Sequence, residues 1–193
     1  GKKLSNPVST GGGGSTFEAR VQASRLLAMC LGTVFPGVED GRIVEVVFQS
    51  RIAGYHTDDL LCTVEDRYAE RSRVLLQMKR GIAPLKSNEA FADSLRAAWL
   101  DFSRPEFQVG RDAIHIVYGS GAATAMVPAQ KLSEWARYTD KPEDYLRKVK
   151  AVDFSSSSDR QTFGLIQALC EEVSEEPLDE SSLHEFFKHL YFL

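Results

Sequence analysis

The stretch VLLQMKRG, residues 74–81, has the composition of a buried strand with a polar end. Its first three residues and Met78 are apolar, and a near-continuous apolar run is typical of strands covered on both faces. Gln77 and Lys79 interrupt the end of this run. Side chains two residues apart on a strand share a face, so both polar groups point to the same side of the sheet. The sequence therefore predicts a core strand with one face that ends in an amide and an ammonium group.

A second strand is predicted upstream at LLCTVE (60–65), followed by a charged connection at 66–72 and by the strand 73–79. Two strands joined by a short loop pair as an antiparallel hairpin, so the start of the first lies beside the end of the second. Asp58 and Asp59 precede the first strand. We therefore expect a carboxylate to meet the amide and the ammonium group at one edge of the core.

Such a set of groups suits the hydrolysis of a phosphodiester. A carboxylate and a second oxygen ligand hold a hard divalent cation such as Mg²⁺, which lowers the pKa of bound water and neutralises charge on the phosphate. A nearby lysine, here Lys79, orients the water and stabilises the developing negative charge. Each residue alone has a simpler explanation: the aspartates as a turn before a strand, Gln77 as a core amide and Lys79 as a solvated strand end.

Composition predicts one soluble domain. The chain has 193 residues, 43% of them hydrophobic, and no apolar run approaches the roughly 20 residues that span a bilayer, so we expect a cytoplasmic protein without a membrane partner. Cys30, Cys62 and Cys170 are too widely spaced for a disulfide framework and are predicted to be reduced core residues. The net charge is −4, but residues 1–170 carry 22 basic and 20 acidic groups, a formal +2, because seven carboxylates lie between 171 and 185.

The remaining segments predict a mixed α/β sheet covered by helices. Residues 1–14, rich in Gly, Ser, Pro and Lys, are expected to be flexible. Ser15 to Glu18 has the spacing of a capping box, which predicts a helix from Ser15 that Gly32 ends. The apolar stripe of that helix is Phe17, Val21, Leu27 and Leu31. The other predicted elements are strands at 43–48 and 112–119 and helices at 87–102, 125–138, 142–150, 159–173 and 180–192.

Asp59 and, across the hairpin, Gln77-x-Lys79 resemble the D…(D/E/Q)-x-K signature of the PD-(D/E)xK, or restriction-endonuclease-like, nuclease superfamily. The resemblance covers about residues 12–190 and implies a mixed central sheet flanked by helices, with extra helices over about 125–193. It implies the following site: Glu18 as helix carboxylate and metal ligand, Asp59 as central ligand, Gln77 as third ligand and Lys79 as catalytic lysine, with Mg²⁺ or Mn²⁺ as cofactor.

A narrower resemblance is to the nuclease domains of bacterial antiphage proteins, which are fused at their C-terminus to STAND-type NTPases or to the cyclic-oligonucleotide sensors of CBASS-type effectors. The segments that carry it, in order, are GSTFE, DDLL, LLQMK, SNEAFADSLRAAWLDF and DAIHIVYG. It implies an endonuclease effector domain, residues 15–193, that is excised from a longer chain, cleaves double-stranded DNA and self-associates for activity. The alternative is a catalytically inactive member of the fold that serves as a DNA-binding or oligomerisation module.

Several residue assignments have an open alternative. A capping box explains Glu18 without a metal, and both roles can coexist at a helix start. Asp59 is preferred over Asp58 because it immediately precedes the apolar run. The candidate contacts to DNA phosphates are Arg20, Arg25, Arg80 and Lys86, for which scattered surface charge is the alternative.

The apolar C-terminal end, SSLHEFFKHLYFL at 181–193, also needs a partner. Such a surface packs on its own core, on a second copy or on sequence that follows. His115 is expected in the core, His56 in a loop, and Trp99 and Trp135 in helices at core positions.

Overall fold

The structure is a computed structural model that describes residues 12–33, 41–175 and 177–193. Within this part of the chain, five strands form one mixed sheet and six α-helices cover it, which confirms the predicted α/β class. The helices are α1 (Gly12–Leu31), α2 (Glu89–Phe102), α3 (Ala123–Arg137), α4 (Pro142–Lys150), α5 (Ser157–Glu171) and α6 (Glu180–His189). The strands are β1 (Arg42–Phe48), β2 (Leu60–Glu65), β3 (Arg71–Lys79), β4 (Ala113–Tyr118) and β5 (Leu190–Phe192).

The strands lie in chain order, from β1 at one edge of the sheet to β5 at the other. β1, β2 and β3 pair antiparallel, whereas β3, β4 and β5 pair parallel. The predicted hairpin is confirmed, since β2 and β3 pair from Glu65 opposite Arg71 to Leu60 opposite Leu76. The start of β2 and the end of β3 therefore meet at the same end of the sheet.

Side chains of β3 alternate between two apolar layers. Leu76 and Met78 pack in the smaller layer, which α1 covers. Leu75 packs in the larger layer, which contains α2 and the C-terminal helices. Gln77 and Lys79 have the same parity as Leu75, so this polar pair faces the layer that contains α2. The observed register therefore confirms that Gln77 and Lys79 share a face of β3.

Helix α1 begins earlier than predicted. It starts at Gly12, so Ser15 lies inside the helix and the predicted capping box of Ser15 with Glu18 does not form its beginning. Residues 1–11 of the predicted flexible segment lie outside the described residues. Gly32 follows the helix with a positive φ of 62°, as expected for a glycine that ends a helix.

The face of α1 that packs on the sheet also differs from the prediction. Phe17 and Val21 pack there, together with Ala28. Leu27 and Leu31, predicted in the same stripe, are 58% and 66% exposed. Residues 17, 21 and 28 follow one line along a helix, and Leu27 lies to the side of that line.

The predicted helix at 180–192 is wrong in its last residues. Helix α6 ends at His189, and Leu190–Phe192 form β5 beside β4. The next residue continues the ladder, because the Leu193 N–H donates to Ile116 O at 3.0 Å and its carbonyl accepts from Tyr118 N–H at 2.9 Å. Of the three possible partners for this apolar end, the chain's own core is the observed one, and Phe186 and Phe187 are fully buried there.

Two further expectations concern cysteines and membranes. All three cysteines are free, and Cys62 and Cys170 are buried as predicted, but Cys30 is exposed on α1. None of the helices in the described part of the chain combines the length and the apolar character needed to cross a bilayer. The other predicted strands and helices are confirmed with small differences at their ends.

Candidate functional site

The structure brings the two aspartates and the amide together. Oδ2 of Asp59 accepts hydrogen bonds from Gln77 Nε2 at 2.9 Å and from the Met78 N–H at 2.5 Å. The same Gln77 nitrogen lies 3.3 Å from Oδ1 of Asp58. Gln77 is only 4% exposed, so one buried amide group serves both carboxylates.

The local backbone explains why these groups meet. The β2–β3 ladder ends at Leu60 opposite Leu76, and the Met78 N–H, two residues further along β3, donates to the Asp59 side chain. The backbone carbonyl of Asp59 accepts from the Gln49 N–H at 3.1 Å, just after β1. Asp59 therefore ties the ends of three neighbouring strands together.

The end of β3 is also held by β4. The Gly119 N–H donates to Arg80 O at 3.1 Å. A Cβ on Gly119 would lie 2.6 Å from that carbonyl oxygen, so glycine is the residue that permits this approach. Lys79, which pairs with Tyr118 across the parallel ladder, is thereby fixed in register beside the aspartates.

The pKa of the Asp59 carboxyl group is shifted by its burial and by the charged groups around it. Burial raises the pKa of its carboxyl group, and the negative charges of Asp58 and Glu18 act in the same direction. The Met78 N–H and the charge of Lys79 act in the opposite direction. Glu18 and Lys79 are thus both close enough to act electrostatically on Asp59, although Glu18 reaches the site from α1 on the other side of the sheet.

An open depression of about 370 Å³ lies in front of these groups. Asp58, Gln77 and Lys79 form its wall on the side of the sheet, and Ser94 and Arg96 of α2 form the opposite wall. The depression gives solvent, and a ligand, access to Asp58, Gln77 and Lys79, whereas Asp59 does not line it.

Three residues that the sequence did not single out hold the loop before the aspartates. Oδ1 and Oδ2 of Asp101 accept from the backbone N–H groups of His56 at 2.9 Å and Thr57 at 2.6 Å. Ser50 Oγ donates to Thr57 O at 2.6 Å, and Arg104 Nη1 donates to Gly54 O at 2.6 Å. The sequence signal that could have indicated this role is Asp101 itself, an aspartate in the last turn of an amphipathic helix.

The predicted cations lie at different depths. Arg20, Arg80 and Lys86 are exposed, so they remain candidates for contact with a phosphate backbone. Arg25 is half-buried, with its Nε atom buried, and burial lowers the pKa of its guanidinium next to Cys62. Arg25 is therefore less accessible than the other three cations, and its contact with DNA stays a prediction.

A comparison with protein-family models, curated proteins and solved structures finds no match.

Few acidic side chains lie together at the candidate site. Across the described residues, no three His, Cys, Asp or Glu side chains are placed together to hold a metal ion. Glu18 thus does not complete such a group of three acids with Asp58 and Asp59. The predicted ligand set of Glu18, Asp59 and Gln77, which has two acids and one amide, stays a prediction.

Proposed function

We propose that the protein is a metal-dependent DNA endonuclease of restriction-endonuclease-like fold, which hydrolyses phosphodiester bonds of double-stranded DNA. One observation carries the proposal: Asp58 and Asp59 meet the Gln77 amide at the end of the β2–β3 hairpin, within electrostatic reach of Lys79. Carboxylates, an amide and a lysine at one accessible sheet end are the groups that this reaction requires.

The donors fit a hard divalent cation in type. Carboxylate and amide oxygens are the ligands that Mg²⁺ and Mn²⁺ take. The repulsion among Asp59, Asp58 and Glu18 is the kind of charge surplus that a cation relieves. The Gln77 amide now turns its nitrogen toward both aspartates, so its oxygen becomes available after a half-turn about the last side-chain bond. Asp58, Asp59 and Gln77, with Glu18 nearby, would hold the metal, which would supply an activated water and neutralise phosphate charge.

The protein groups have separate tasks in this reaction. Lys79 donates to the phosphate oxygens or to the attacking water and so stabilises the negative charge that develops. The oxygen of that water would form a bond to phosphorus while one of its protons passes to solvent. The phosphorus–oxygen bond to one sugar would break, and the leaving oxygen would take up a proton from solvent. The exposed Arg20, Arg80 and Lys86 hold the DNA backbone.

The biological setting is proposed from the sequence resemblance alone. In it, this domain is the effector of a bacterial antiphage protein, joined to an NTPase or sensor domain of the same parent chain. Self-association of that parent would bring several nuclease domains to one DNA, and clustering raises effective concentration without new contacts. The near-neutral charge of residues 1–170 suits a domain with modest DNA affinity on its own.

A second candidate function is an inactive member of the same fold that binds DNA or assembles with other copies. One observation favours it: a neutral glutamine stands where a third carboxylate would strengthen metal binding, and its nitrogen already satisfies both aspartates. Such a site is complete without a metal.

A plasmid-nicking assay separates the two candidates. The domain, alone and artificially dimerised, is incubated with supercoiled plasmid in Mg²⁺, Mn²⁺ or EDTA. The nuclease proposal expects metal-dependent nicking that Lys79→Ala reduces by about 10²-fold or more, the scale of losing one charge-stabilising donor. Lys150→Ala, which removes an exposed lysine of α4, is the matched control and keeps full activity. Absence of nicking by the dimerised domain would favour the inactive module.

A further inference from the structure

We infer that Asp101, in the last turn of α2, is a positioning residue that fixes the aspartate pair through the backbone of His56 and Thr57. The inference rests on the proposed function, because the positioned groups are its candidate metal ligands. Asp101 itself makes no hydrogen bond to either aspartate side chain, because carboxylates only accept; both of its oxygens accept from N–H groups of the loop. Its effect on the site therefore passes through the loop.

Asp101 binds the loop through two hydrogen bonds. The side chain of Asp101 is fully buried, and its two oxygens accept from two successive N–H groups, at 2.9 Å and 2.6 Å. Thr57, the second donor, directly precedes Asp58. Two hydrogen bonds to one rigid carboxylate fix both the position and the direction of the peptide that leads into the aspartate pair.

Helix stability alone does not explain an acid at this place. A carboxylate near the C-terminus of a helix opposes the helix dipole, and burial of a carboxylate costs free energy. Arg104 Nη1 is 3.9 Å from Asp101 Oδ1, too far for a hydrogen bond, and it donates to Gly54 O. Asp101 therefore has no close ion pair with Arg104 to offset these costs. The two hydrogen bonds from the loop N–H groups offset these costs, and the same bonds order the loop.

Two other contacts restrain the same loop. Ser50 Oγ holds the Thr57 carbonyl, and Arg104 holds the Gly54 carbonyl. The residues that follow meet β3 through the Gln77 side-chain nitrogen and the Met78 N–H. Movement of the loop at Thr57 is therefore passed directly to the groups that would bind the cation.

The test uses Asp101→Asn in the whole chain, because asparagine keeps the shape but turns one acceptor into a donor. Two NMR signals are measured without metal: hydrogen exchange of the Met78 amide, corrected for global stability, and the Gln77 side-chain NH₂ resonance. We expect exchange about tenfold faster, the factor that a hydrogen bond to a charged group is worth, and a shifted Gln77 resonance. The Mg²⁺ concentration for half-maximal nicking rises by about the same factor, whereas the rate at saturating Mg²⁺ changes less.

Asp159→Asn is the matched control. Asp159 is equally buried and accepts from the Ser156 N–H and from Lys131, at the start of α5 and away from the aspartate loop. This variant lowers global stability but leaves the corrected Met78 exchange and the Gln77 resonance as in the wild type. A merely structural role of Asp101 would make the two variants alike.

Unchanged Met78 exchange and an unchanged Gln77 resonance in folded Asp101→Asn would overturn the inference. If Asp101→Asn does not fold, Ser50→Ala decides by the same two signals, because it removes the other hydrogen bond at Thr57. A wild-type protein that never nicks DNA counts against the proposed function, and the metal-free NMR signals still decide on Asp101.

Discussion

Gln77 is the residue that sets the charge of the candidate site. Its one amide nitrogen donates to both Asp58 and Asp59. Because its side chain is neutral, Gln77 adds no third negative charge to the two aspartates. Burial and neighbouring negative charge already raise the pKa of Asp59. A third acid in direct contact would add repulsion that a bound cation, or a proton, can offset.

Gln77→Glu tests this balance. Without metal, the variant loses the shared donor and gains a negative charge, so we expect the free energy of unfolding to fall by about 1–3 kcal/mol. Millimolar Mg²⁺ should then raise the melting temperature of the variant more than that of the wild type, because a ligand of the folded state stabilises it. Calorimetry with and without Mg²⁺ measures both effects.

The control for this prediction is Gln167→Glu, on the exposed side of α5, where the glutamine donates to Glu171. We expect it to change stability by no more than about 0.5 kcal/mol and to show no added response to Mg²⁺. An equal Mg²⁺ response of Gln77→Glu and the wild type would contradict the idea that this position tunes metal binding.

At the scale of elements, α1 is the helix that covers the smaller apolar layer, through Phe17, Val21 and Ala28. We predict that Val21→Ala lowers the free energy of unfolding by about 1 kcal/mol, since Val21 is half-buried against the sheet. Leu27→Ala should change it by no more than about 0.5 kcal/mol, because Leu27 is mostly exposed. Urea unfolding measures both. A larger loss in Leu27→Ala than in Val21→Ala would mean that α1 packs through the other face.

The hairpin and its polar end could be predicted from the sequence because their causes are local. A short connection dictates the antiparallel pairing, and the pairing places Asp59 opposite Gln77. Asp101 could not be found this way, since its partners lie 45 and 44 residues away along the chain. Its role depends on how α2 packs, which no local pattern encodes.

The end of the chain shows a second limit of local patterns. LYF at 190–192 continues an apolar helical pattern, yet it forms β5 because β4 offers an open strand edge. Side chains of α3 then bind the carbonyls of this strand: Arg137 Nη1 donates to Leu190 O at 2.9 Å and Gln130 Nε2 to Phe192 O at 3.2 Å. Strand formation here depends on tertiary partners, which override local preference.

At the scale of the whole molecule, the proposed DNA contact depends on a few exposed cations in a chain of net charge −4. Each phosphate that a side chain neutralises adds about 0.9 to the slope of log affinity against log salt. We therefore predict that Arg80→Ala lowers this slope by about 1. Fluorescence anisotropy with a labelled duplex in EDTA, at several salt concentrations, measures it. Arg147→Ala, whose arginine pairs with Asp144 on α4, should leave the slope unchanged.

Two buried histidines of α6 couple the stability of the whole molecule to pH. His189 Nδ1 donates to Asp112 O at 2.8 Å while its Nε2 accepts from the Gly110 N–H at 3.2 Å, so the neutral ring fits the site. His184 Nε2 donates to Ala136 O at 3.2 Å. Burial lowers the pKa of both rings below the ordinary 6.5, and Lys188 adds to this while Glu185 opposes it.

Because these folded-state pKa values are lowered, the unfolded chain binds protons first as the pH falls below 6.5. The stabilisation is therefore complete above 6.5 and is lost as the pH falls through the folded-state values, by up to about 1.4 kcal/mol for each unit of separation. We predict a lower urea midpoint at about pH 5 than at about pH 7.5, and a smaller difference in His189→Gln, which has no proton to bind there. His56→Gln, a change in an exposed loop histidine, should keep the wild-type difference. Equal midpoints of the wild type at both pH values would mean that the α6 histidines are not held in neutral form by the fold.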